Sequence, residues 1–384
     1  MMQFNDRKTQ LDDLLARIAE SIQLDDTRKE RMKSAYEAIE NLFKEDEAFF
    51  KHVDFDIYPQ GSVKIGTTVK PTAKNEFDLD IVVHIVVDWN QYTPEQIYNA
   101  LKCVLHNSGH HNEKVELKNR CIRLNYSGDF HMDILPGCQE TEFDNNKLVV
   151  PDRELKDWTS SNPRGYAKWF INKSNSVKIT LLEKAYAMEE LPPDEFAKKK
   201  PLQRAVQLIK MYRDQYFKDN SDMATSSIIL TTIAGEYYNG EESIYDTIDN
   251  VIRKIKQQLN NMLWIGERIV ILNPVNQKED FTDKWADDKE PELYEHFKKY
   301  IEHLDEEWQK LKEENGVIEE ARILTKLFGE SRYLKGQKSQ SDFIEKARKS
   351  QSLGINKKSG ILTGVGTFGT ASIKSNTFFG GEQN

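Results

Sequence analysis

The first fifty residues place apolar side chains at the spacing of an α-helix. One apolar set comprises Leu11, Leu14, Leu15, Ile18 and Ile22, and a second comprises Met32, Tyr36, Ile39 and Phe43. Because the members of each set recur three or four residues apart, they fall on one face of a helix. Thr27 and Glu30 precede the second set with the spacing of a capping box, which predicts that this helix begins at Thr27.

From Val53 the spacing changes to that of a β-strand. Val53, Phe55 and Ile57 alternate with polar residues, as in a strand with one buried face. Three further stretches predict strands, and these cover residues 79–87, 115–126 and 130–135. A helical pattern over 94–106 lies between them. Strands and helices mixed over this length indicate an α+β block that ends near residue 160.

The second half of the chain is mainly helical in its pattern. One apolar stripe comprises Leu202, Ala205, Ile209 and Tyr212, and further candidate helices cover residues 228–237, 244–259 and 293–311. The pattern predicts three segments: a catalytic lobe with N-terminal helices over 1–160, a helical lobe over 161–330, and a tail over 331–384. The tail is rich in Gly, Ser and Thr and carries nine Lys/Arg against three Asp/Glu, which predicts a flexible basic segment.

The composition of the chain limits the kinds of partner that we expect. The 384 residues carry a net charge of −9, whereas general nucleic-acid binders usually carry excess positive charge, so nucleic acid is not expected as the main ligand. No apolar run approaches the ~20 residues that span a bilayer, and the N-terminus has no secretory signal, so no membrane is expected. Cys103, Cys121 and Cys138 lack the spacing of a zinc site and favour reduced thiols in a cytoplasmic protein.

Three aspartates interrupt apolar strands. Asp78 and Asp80 stand two apart at the start of a strand, so both project to one face while Leu79 points to the core. Two such carboxylates repel each other unless a proton or a cation lies between them. Asp133 lies in another apolar strand, where an acid is costly unless it is paired or metal-bound. Three carboxylates can hold two Mg²⁺ ions, or Mn²⁺ in their place, about 3.5–4 Å apart for phosphoryl transfer.

The turn before this strand supplies candidate nucleotide contacts. Gly61 lets the backbone approach a phosphate, the Ser62 hydroxyl can donate to it, and Lys64 adds positive charge. Gln60 belongs to the same candidate site. A Gly-Ser pair alone is a common turn, and a D-x-D alone is more often solvated. The combination of strand, Gly-Ser, D-x-D and the later Asp133 favours a catalytic site.

With these residues the chain resembles the polymerase-β-like nucleotidyltransferases, and among them the bacterial CD-NTases, relatives of cyclic GMP-AMP synthase and oligoadenylate synthase. The family pattern matches Gly61, Ser62, Asp78, Asp80 and Asp133. The resemblance implies a lobe with a mixed sheet, a helical lobe that completes the nucleotide site, and NTP substrates. It also implies a cyclic di- or trinucleotide second messenger as product, release of pyrophosphate, and a role in anti-phage signalling.

Later segments extend the resemblance. PLQRAVQLIKMYRD resembles the family helix whose lysine contacts phosphate, here Lys210, and ATSSIILTTI resembles the next helix start, whose serine touches the triphosphate. That serine is Ser227, with Ser226 as the alternative. Without the resemblance, Lys210 is an ordinary exposed lysine and the serines are plain N-caps. Ile228 stands where several relatives have an aromatic residue that stacks on a base.

A third segment, ILNPVNQKEDFTDKW, resembles the family segment near the donor nucleotide. It contains Asn273, Pro274 and Trp285. We also expect His84 and His131 to flank the site rather than to bind metal. Other interpretations remain open at this stage. They are a linear oligonucleotide synthase or another nucleotidyltransferase of the superfamily, and a binding module that keeps the fold without catalysis.

The end of the tail suggests a protein partner. Some family members are conjugated through a C-terminal small residue by ubiquitin-transfer-like proteins, and Gly380-Gly381 invites that comparison. Residues 382–384 follow, so conjugation would require trimming or a different recognition. A conjugating or regulatory protein is therefore one expected partner. A basic strap that attracts nucleotide, and an end without any function, are the alternatives.

Overall fold

A seven-stranded mixed sheet forms the first lobe of the protein. The computed structural model describes residues 7–71, 76–107, 114–126, 130–175, 198–313, 316–350, 353–356, 362–364 and 370–372. The strands of the sheet are β1 (Asp54–Pro59), β2 (Phe77–Val86), β3 (Val115–Leu117), β4 (Ile122–Tyr126), β5 (Phe130–Thr141), β6 (Asp144–Asp152) and β7 (Asp157–Ser161). This mixed sheet confirms the predicted α+β class.

The order of the strands brings two distant segments side by side. The order is β1-β2-β5-β4-β3, and β6 pairs with β5 and carries β7 on its other edge. β2 and β5 are parallel, whereas the other neighbours in the sheet are antiparallel. β5 has twelve residues, so its first half pairs with β4 and its second half with β6. The parallel pair at the centre carries the functional residues described below.

Two helices cover the buried face of this sheet. They are α2 (Asp26–Lys44) and α4 (Pro94–Asn107), and their apolar faces join the core that the strands begin, including Leu79 and Met132. The second helix begins earlier than the capping box predicted. Asp25 is its N-cap, and the Asp25 side chain accepts a hydrogen bond from the backbone N–H of Arg28. A carboxylate caps as well as a hydroxyl does, so Asp25 took the role predicted for Thr27.

The second lobe is a helical bundle with its own core. Its helices are α5 (Pro163–Asn175), α6 (Pro201–Tyr216), α7 (Ser227–Tyr237), α8 (Ile244–Ile265), α9 (Glu292–Lys312), α10 (Val317–Phe328) and α11 (Glu330–Lys349). A short hairpin of β8 (Leu272–Asn273) and β9 (Asn276–Asp280) lies between α8 and α9. The predicted helices over 202–212, 228–237, 244–259 and 293–311 are confirmed. None of the helices in the described ranges is long and apolar enough to cross a membrane.

The N-terminal helix packs with the helical lobe, not with the sheet. α1 (Arg7–Ser21) buries Leu15 and Ile18 in the core of the helical bundle. The prediction that both N-terminal helices belong to the catalytic lobe is therefore wrong for α1. Periodicity identified its buried face, but both lobes offer an apolar surface that such a face can cover.

The first part of the predicted tail is a helix, so the helical lobe extends beyond the predicted boundary at residue 330. Residues 330–349 form α11, which packs on α1 rather than extending as a flexible segment. The helix approaches so closely because Gly336 lies against Ile18, where a Cβ at position 336 would meet the Ile18 side chain at 2.7 Å. Arg17 donates to the Ser339 carbonyl at 3.1 Å, and Tyr333 is buried. The Gly380-Gly381 pair lies outside the described residues.

Beyond α11 the structure describes three short strands. They are β10 (Leu353–Asn356), β11 (Leu362–Gly364) and β12 (Thr370–Ser372). β10 is central and pairs antiparallel with both neighbours. The described part of the tail therefore contains backbone pairing that its Gly, Ser and Thr content did not predict.

Candidate active site

A cavity of about 1150 Å³ separates the two lobes. From the first lobe it is lined by β2, β7 and the one-turn helix α3 (Gly61–Lys64), and from the second by α6 and α7. A typical small-molecule site occupies roughly 300–1,000 Å³, so this cavity has room for a large polar ligand. Most residues predicted from the sequence as site residues line it.

The parallel pairing of β2 and β5 brings the three aspartates together. Asp80 lies opposite Asp133 in the register, and Asp78 lies opposite His131. Side chains in register on neighbouring strands share a face of the sheet. The intervening Leu79 and Met132 are fully buried on the opposite face. Asp78 and Asp80 line the cavity, and Asp133 stands beside them through its register with Asp80.

Burial and nearby negative charge raise the pKa of Asp78 and Asp80. Burial is the largest cause for Asp80, and the charges of Asp78 and Asp133 add to it, so the pKa of Asp80 rises to about 8. The pKa of Asp78 is also raised, by burial and then by Asp133. Three ionised carboxylates at this point are therefore unfavourable without a balancing positive charge.

An arginine that the sequence analysis did not identify supplies part of that charge. Arg123 on β4 lies opposite Asp133 in the antiparallel register. Its Nε and Nη2 donate to the two carboxylate oxygens of Asp133 at 2.7 Å each, and Nη2 also lies 3.4 Å from Asp78 Oδ1. In the local sequence Arg123 is only one polar position of an alternating strand. Its role depends on strand register, which local sequence does not show.

The Gly61 backbone packs closely against the Asp80 carboxylate. It has φ of +58°, a left-handed conformation that favours glycine. A Cβ at position 61 would collide with the Asp80 carboxylate. The Gln60 N–H donates to the Asp80 carbonyl at 2.8 Å, so the turn is tied to β2. Gly61 and Ser62 open α3 instead of forming a simple turn.

Three of the four candidates in this turn reach the cavity. Gln60, Gly61 and Ser62 line it, and the Ser62 hydroxyl lies 3.2 Å from the Thr68 hydroxyl. Lys64 is not among the lining residues. Two positions along an α-helix turn the side chain by about 200°, so Lys64 projects away from the side that Ser62 faces.

The helical lobe contributes positive charge from α6. Lys210 is buried and lines the cavity, and its Nζ donates to the Thr67 hydroxyl at 3.1 Å. Burial, followed by the nearby Arg213, lowers the pKa of Lys210 to about 7. Lys210 is therefore not the exposed lysine that composition alone would suggest. Its contact with Thr67 connects the helical lobe to the segment after α3.

Arg213, one turn further along α6, is a second lining residue that the sequence analysis missed. It donates to the Ser227 hydroxyl at 2.7 Å and to the Thr225 carbonyl at 3.2 Å. Both predicted serines line the cavity at the start of α7, and so does Ile228. Ser226 is the N-cap residue of that helix and Ser227 its first residue.

The far end of the cavity is formed by β7 and the β8–β9 hairpin. Asn273 lines it as predicted, and its Nδ2 donates to Glu279 at 2.7 Å. Trp285 does not line it, because the large ring is buried in the helical core against Phe297. Pro274 is not a lining residue either. The rings of Tyr166 and Phe281 are the aromatic surfaces nearest this end.

Of the two predicted flanking histidines, one lies at the cavity. His131 lines it and pairs with Glu76 at 3.0 Å. His84 is buried further along β2, where its Nδ1 lies 2.8 Å from Asp56. His84 lies four positions beyond Asp80 on β2, about 13 Å along the strand, so it does not flank the aspartates.

The donor chemistry of the three aspartates suits a divalent cation such as Mg²⁺. Hard carboxylate oxygens, a buried acid with a raised pKa, and a glycine that leaves space above it fit such an ion. Within the described ranges, no three His, Cys, Asp or Glu side chains are already spaced around a common ion position. Both oxygens of Asp133 accept hydrogen bonds from Arg123.

Comparison with known proteins assigns this architecture to a family. Residues 9–175 match the model of the Second Messenger Oligonucleotide or Dinucleotide Synthetase domain. The chain is 41% identical over 380 residues to the c-di-GMP synthase of Roseivirga ehrenbergii, covering 99% of this chain and all of that protein. The chain belongs to the bacterial CD-NTases.

Further relatives agree with this family. The cyclic dinucleotide synthase CdnG of Bradyrhizobium diazoefficiens is 25% identical over 300 residues, covering 72% of this chain and 70% of that protein. The structure of the B. diazoefficiens CD-NTase CdnG in complex with GTP has a TM-score of 0.69 at 21% identity, over 86% of this chain and 99% of that one. A complex of Escherichia coli MS115-1 CdnC with a HORMA protein has a TM-score of 0.58 at 13% identity, over 83% and 96% of the two chains.

The family decides between the interpretations that the sequence left open. This CD-NTase is a nucleotidyltransferase that makes a cyclic oligonucleotide from nucleoside triphosphates. Its fold is the polymerase-β-like arrangement of a mixed sheet and a helical lobe. CD-NTases generally depend on a divalent metal, which agrees with the carboxylate chemistry at the start of β2.

The raised pKa of Asp80 leads to a prediction about stability. An acid whose pKa rises from 3.8 to about 8 on folding makes the folded state lose stability as the pH rises between these values. We expect Asp80→Asn to raise the free energy of unfolding at pH 8 by several kcal/mol in EDTA, up to about 5 kcal/mol for the full pKa shift, because the variant has no charge to bury. The difference should vanish below about pH 4.

Urea unfolding of wild type and variant across this pH range measures the effect. Asp54→Asn is the matched control, because Asp54 is exposed on β1 of the same sheet, and it should change stability by less than about 0.5 kcal/mol. An Asp80→Asn variant that is less stable than wild type at pH 8 would contradict the unfavourable charge cluster.

Proposed function

We propose that this CD-NTase joins two GTP molecules into c-di-GMP. The observation that carries the proposal is the 41% identity with a c-di-GMP synthase over essentially the whole of both chains. The CdnG of B. diazoefficiens, a cyclic dinucleotide synthase whose structure contains GTP, supports guanine as the base. The size of the cavity also suits a pair of nucleotides.

In the proposed reaction the three aspartates form the catalytic centre. Asp78, Asp80 and Asp133 would hold two Mg²⁺ ions, for which Mn²⁺ can substitute. The ions, when bound, would lower the pKa of the attacking ribose hydroxyl and balance charge on the phosphates. Asp133 would accept the hydroxyl proton. The hydroxyl oxygen bonds to the α-phosphorus of the other nucleotide, and the bond to pyrophosphate breaks.

The triphosphate would lie between the two lobes. Gln60, Gly61 and Ser62 would contact it from the α3 turn, and Lys210 with Ser226 or Ser227 would contact it from α6 and α7. These residues line one continuous cavity with Asp78 and Asp80. The Arg213 contact with the Ser227 hydroxyl would orient that serine. A second reaction within the bound linear dinucleotide would close the ring.

The cellular role follows from the family. We propose a cytoplasmic enzyme of anti-phage signalling, because nucleoside triphosphates are available in the cytoplasm and related CD-NTases act in that pathway. We also propose a regulatory protein as a partner, because CdnC has been solved in complex with a HORMA protein. The tail beyond α11 remains the proposed point of action for such a partner or for a conjugating one.

Product analysis tests the proposed reaction. We expect purified enzyme with Mg²⁺ and equal amounts of four NTPs to yield mainly c-di-GMP, identified by mass spectrometry. Because a ring has no terminal phosphate, the product should resist phosphatase, whereas a linear dinucleotide should lose phosphate. Asp78→Asn should reduce turnover at least about 100-fold, with Asp54→Asn as the control. A phosphatase-sensitive product, or a main cyclic product that contains a base other than guanine, would contradict the proposal.

The lowered pKa of Lys210 predicts a pH dependence for triphosphate binding. Lys210 is charged below pH 7 and loses its proton above it, so its attraction for phosphate should weaken as the pH rises through 7. We expect the Kd for a non-hydrolysable GTP analogue in EDTA to increase between pH 6 and pH 8, by up to about tenfold per unit above the pKa.

Lys210→Arg is the matched variant for this measurement. Arginine stays charged throughout the range, so the Kd of this variant should change less with pH than that of wild type. The comparison separates Lys210 from Asp80, which titrates in both proteins. Identical pH profiles for the two proteins would contradict a Lys210 that contacts the triphosphate and loses its proton near pH 7.

A further inference from the structure

The Arg123–Asp133 pair is the strongest charged contact within the catalytic cluster. Two parallel hydrogen bonds of 2.7 Å use Nε and Nη2 of Arg123 and both oxygens of Asp133. This bidentate geometry is the strong form of an ion pair. Both side chains are mostly buried, with 23% and 17% exposure, which limits screening by water.

The same arginine reaches a second aspartate. Arg123 Nη2 lies 3.4 Å from Asp78 Oδ1, so the guanidinium lies between ligands that come from β2 and β5. Its single positive charge partly balances three carboxylates. The position suits a cation, and the Arg123 guanidinium occupies it.

A divalent ion at Asp133 would have to displace this contact or lie beside it. Displacement breaks two charge-assisted hydrogen bonds, and coexistence places a double positive charge close to a single one. Either outcome makes metal binding less favourable than at three free carboxylates.

We propose that Arg123 is the counter-cation of the metal-free enzyme and that a divalent ion must displace it from Asp133. Arg123 thus sets how much metal the enzyme needs before Asp133 becomes available as a ligand. The inference rests on the proposed metal site of the three aspartates and adds a competitor to it. Arg123 is a positioning residue in this account, because it acts through Asp133.

Manganese binding to the nucleotide-free protein tests the inference without any turnover. Calorimetric titration with Mn²⁺ should give a Kd for Arg123→Gln that is lower than that of wild type by about fivefold or more, in the usual range of coupling between two sites. Glutamine keeps polarity at the position and removes the charge. Arg123→Lys keeps the charge without the two parallel hydrogen bonds, and its Kd should fall between the two.

Arg120→Gln is the matched control. Arg120 precedes Arg123 by three residues and lines the same cavity, but it pairs with Asp152 at 2.7 Å and not with the three aspartates. Removing its charge should therefore change the Kd for Mn²⁺ by less than about twofold. If Arg120→Gln and Arg123→Gln gain Mn²⁺ affinity equally, the gain is a general charge effect, and direct competition is overturned.

Wild-type protein offers a measurement that does not depend on a variant folding. The Nε–H of Arg123 is held by Asp133, so its NMR signal should exchange slowly with water without metal and faster in saturating Mg²⁺. An Nε–H signal unchanged by Mg²⁺ would contradict displacement. A Kd for Mn²⁺ of Arg123→Gln that is equal to or higher than that of wild type would also contradict displacement.

The outcomes also separate this inference from the proposed function. If wild type and Arg123→Gln bind Mn²⁺ equally, the metal site stands and the competition fails. If neither protein binds Mn²⁺, both the competition and the three-aspartate metal site fail. If only Arg123→Gln binds it without nucleotide, the competition is supported in its strongest form.

Discussion

The repulsion among three carboxylates is the constraint on which the candidate active site depends. The parallel pairing of β2 with β5 holds Asp80 opposite Asp133, with Asp78 two residues away. That arrangement costs stability in the protein alone, as the raised pKa of Asp80 shows. The positive charges of Arg123 and Lys210 partly offset this cost. A site that is unfavourable when empty is well suited to bind cations and the phosphates they accompany.

The two lobes contribute different groups to the cavity around the three aspartates. The sheet lobe fixes the aspartates and the Gly61 turn on rigid strands, where the register leaves little freedom. The helical lobe brings positive charge and hydroxyl groups from α6 and α7. Contacts such as Lys210 with Thr67 join the lobes at the cavity itself. The membership of this chain in the CD-NTases connects this division to the synthesis of cyclic oligonucleotides.

Sequence reasoning found the parts of the site that local patterns reveal. Aspartates inside apolar strands are conspicuous because burial penalises them, and the Gly-Ser pair before a strand marks a close backbone approach. Arg123 was missed because its importance comes from strand register across β4 and β5. Arg213 was missed for a similar reason, since its contact with Ser227 joins two helices.

The same distinction explains the errors in the fold. Helical periodicity predicted α1 and its buried face correctly but could not show which lobe that face covers. α11 is rich in Lys, Gln and Ser, so its composition resembled a flexible tail. Its packing depends on the close approach of Gly336 to Ile18 of α1, a tertiary contact between opposite ends of the chain.

The position of bound metal tests the central claim of this account most directly. Crystals grown with Mn²⁺ and a non-hydrolysable GTP analogue would locate manganese by its anomalous scattering. The account predicts manganese peaks coordinated by Asp78, Asp80 and Asp133, with the triphosphate extending toward Gly61 and Lys210. A bound analogue with no manganese at these three aspartates, or a triphosphate bound elsewhere, would contradict it.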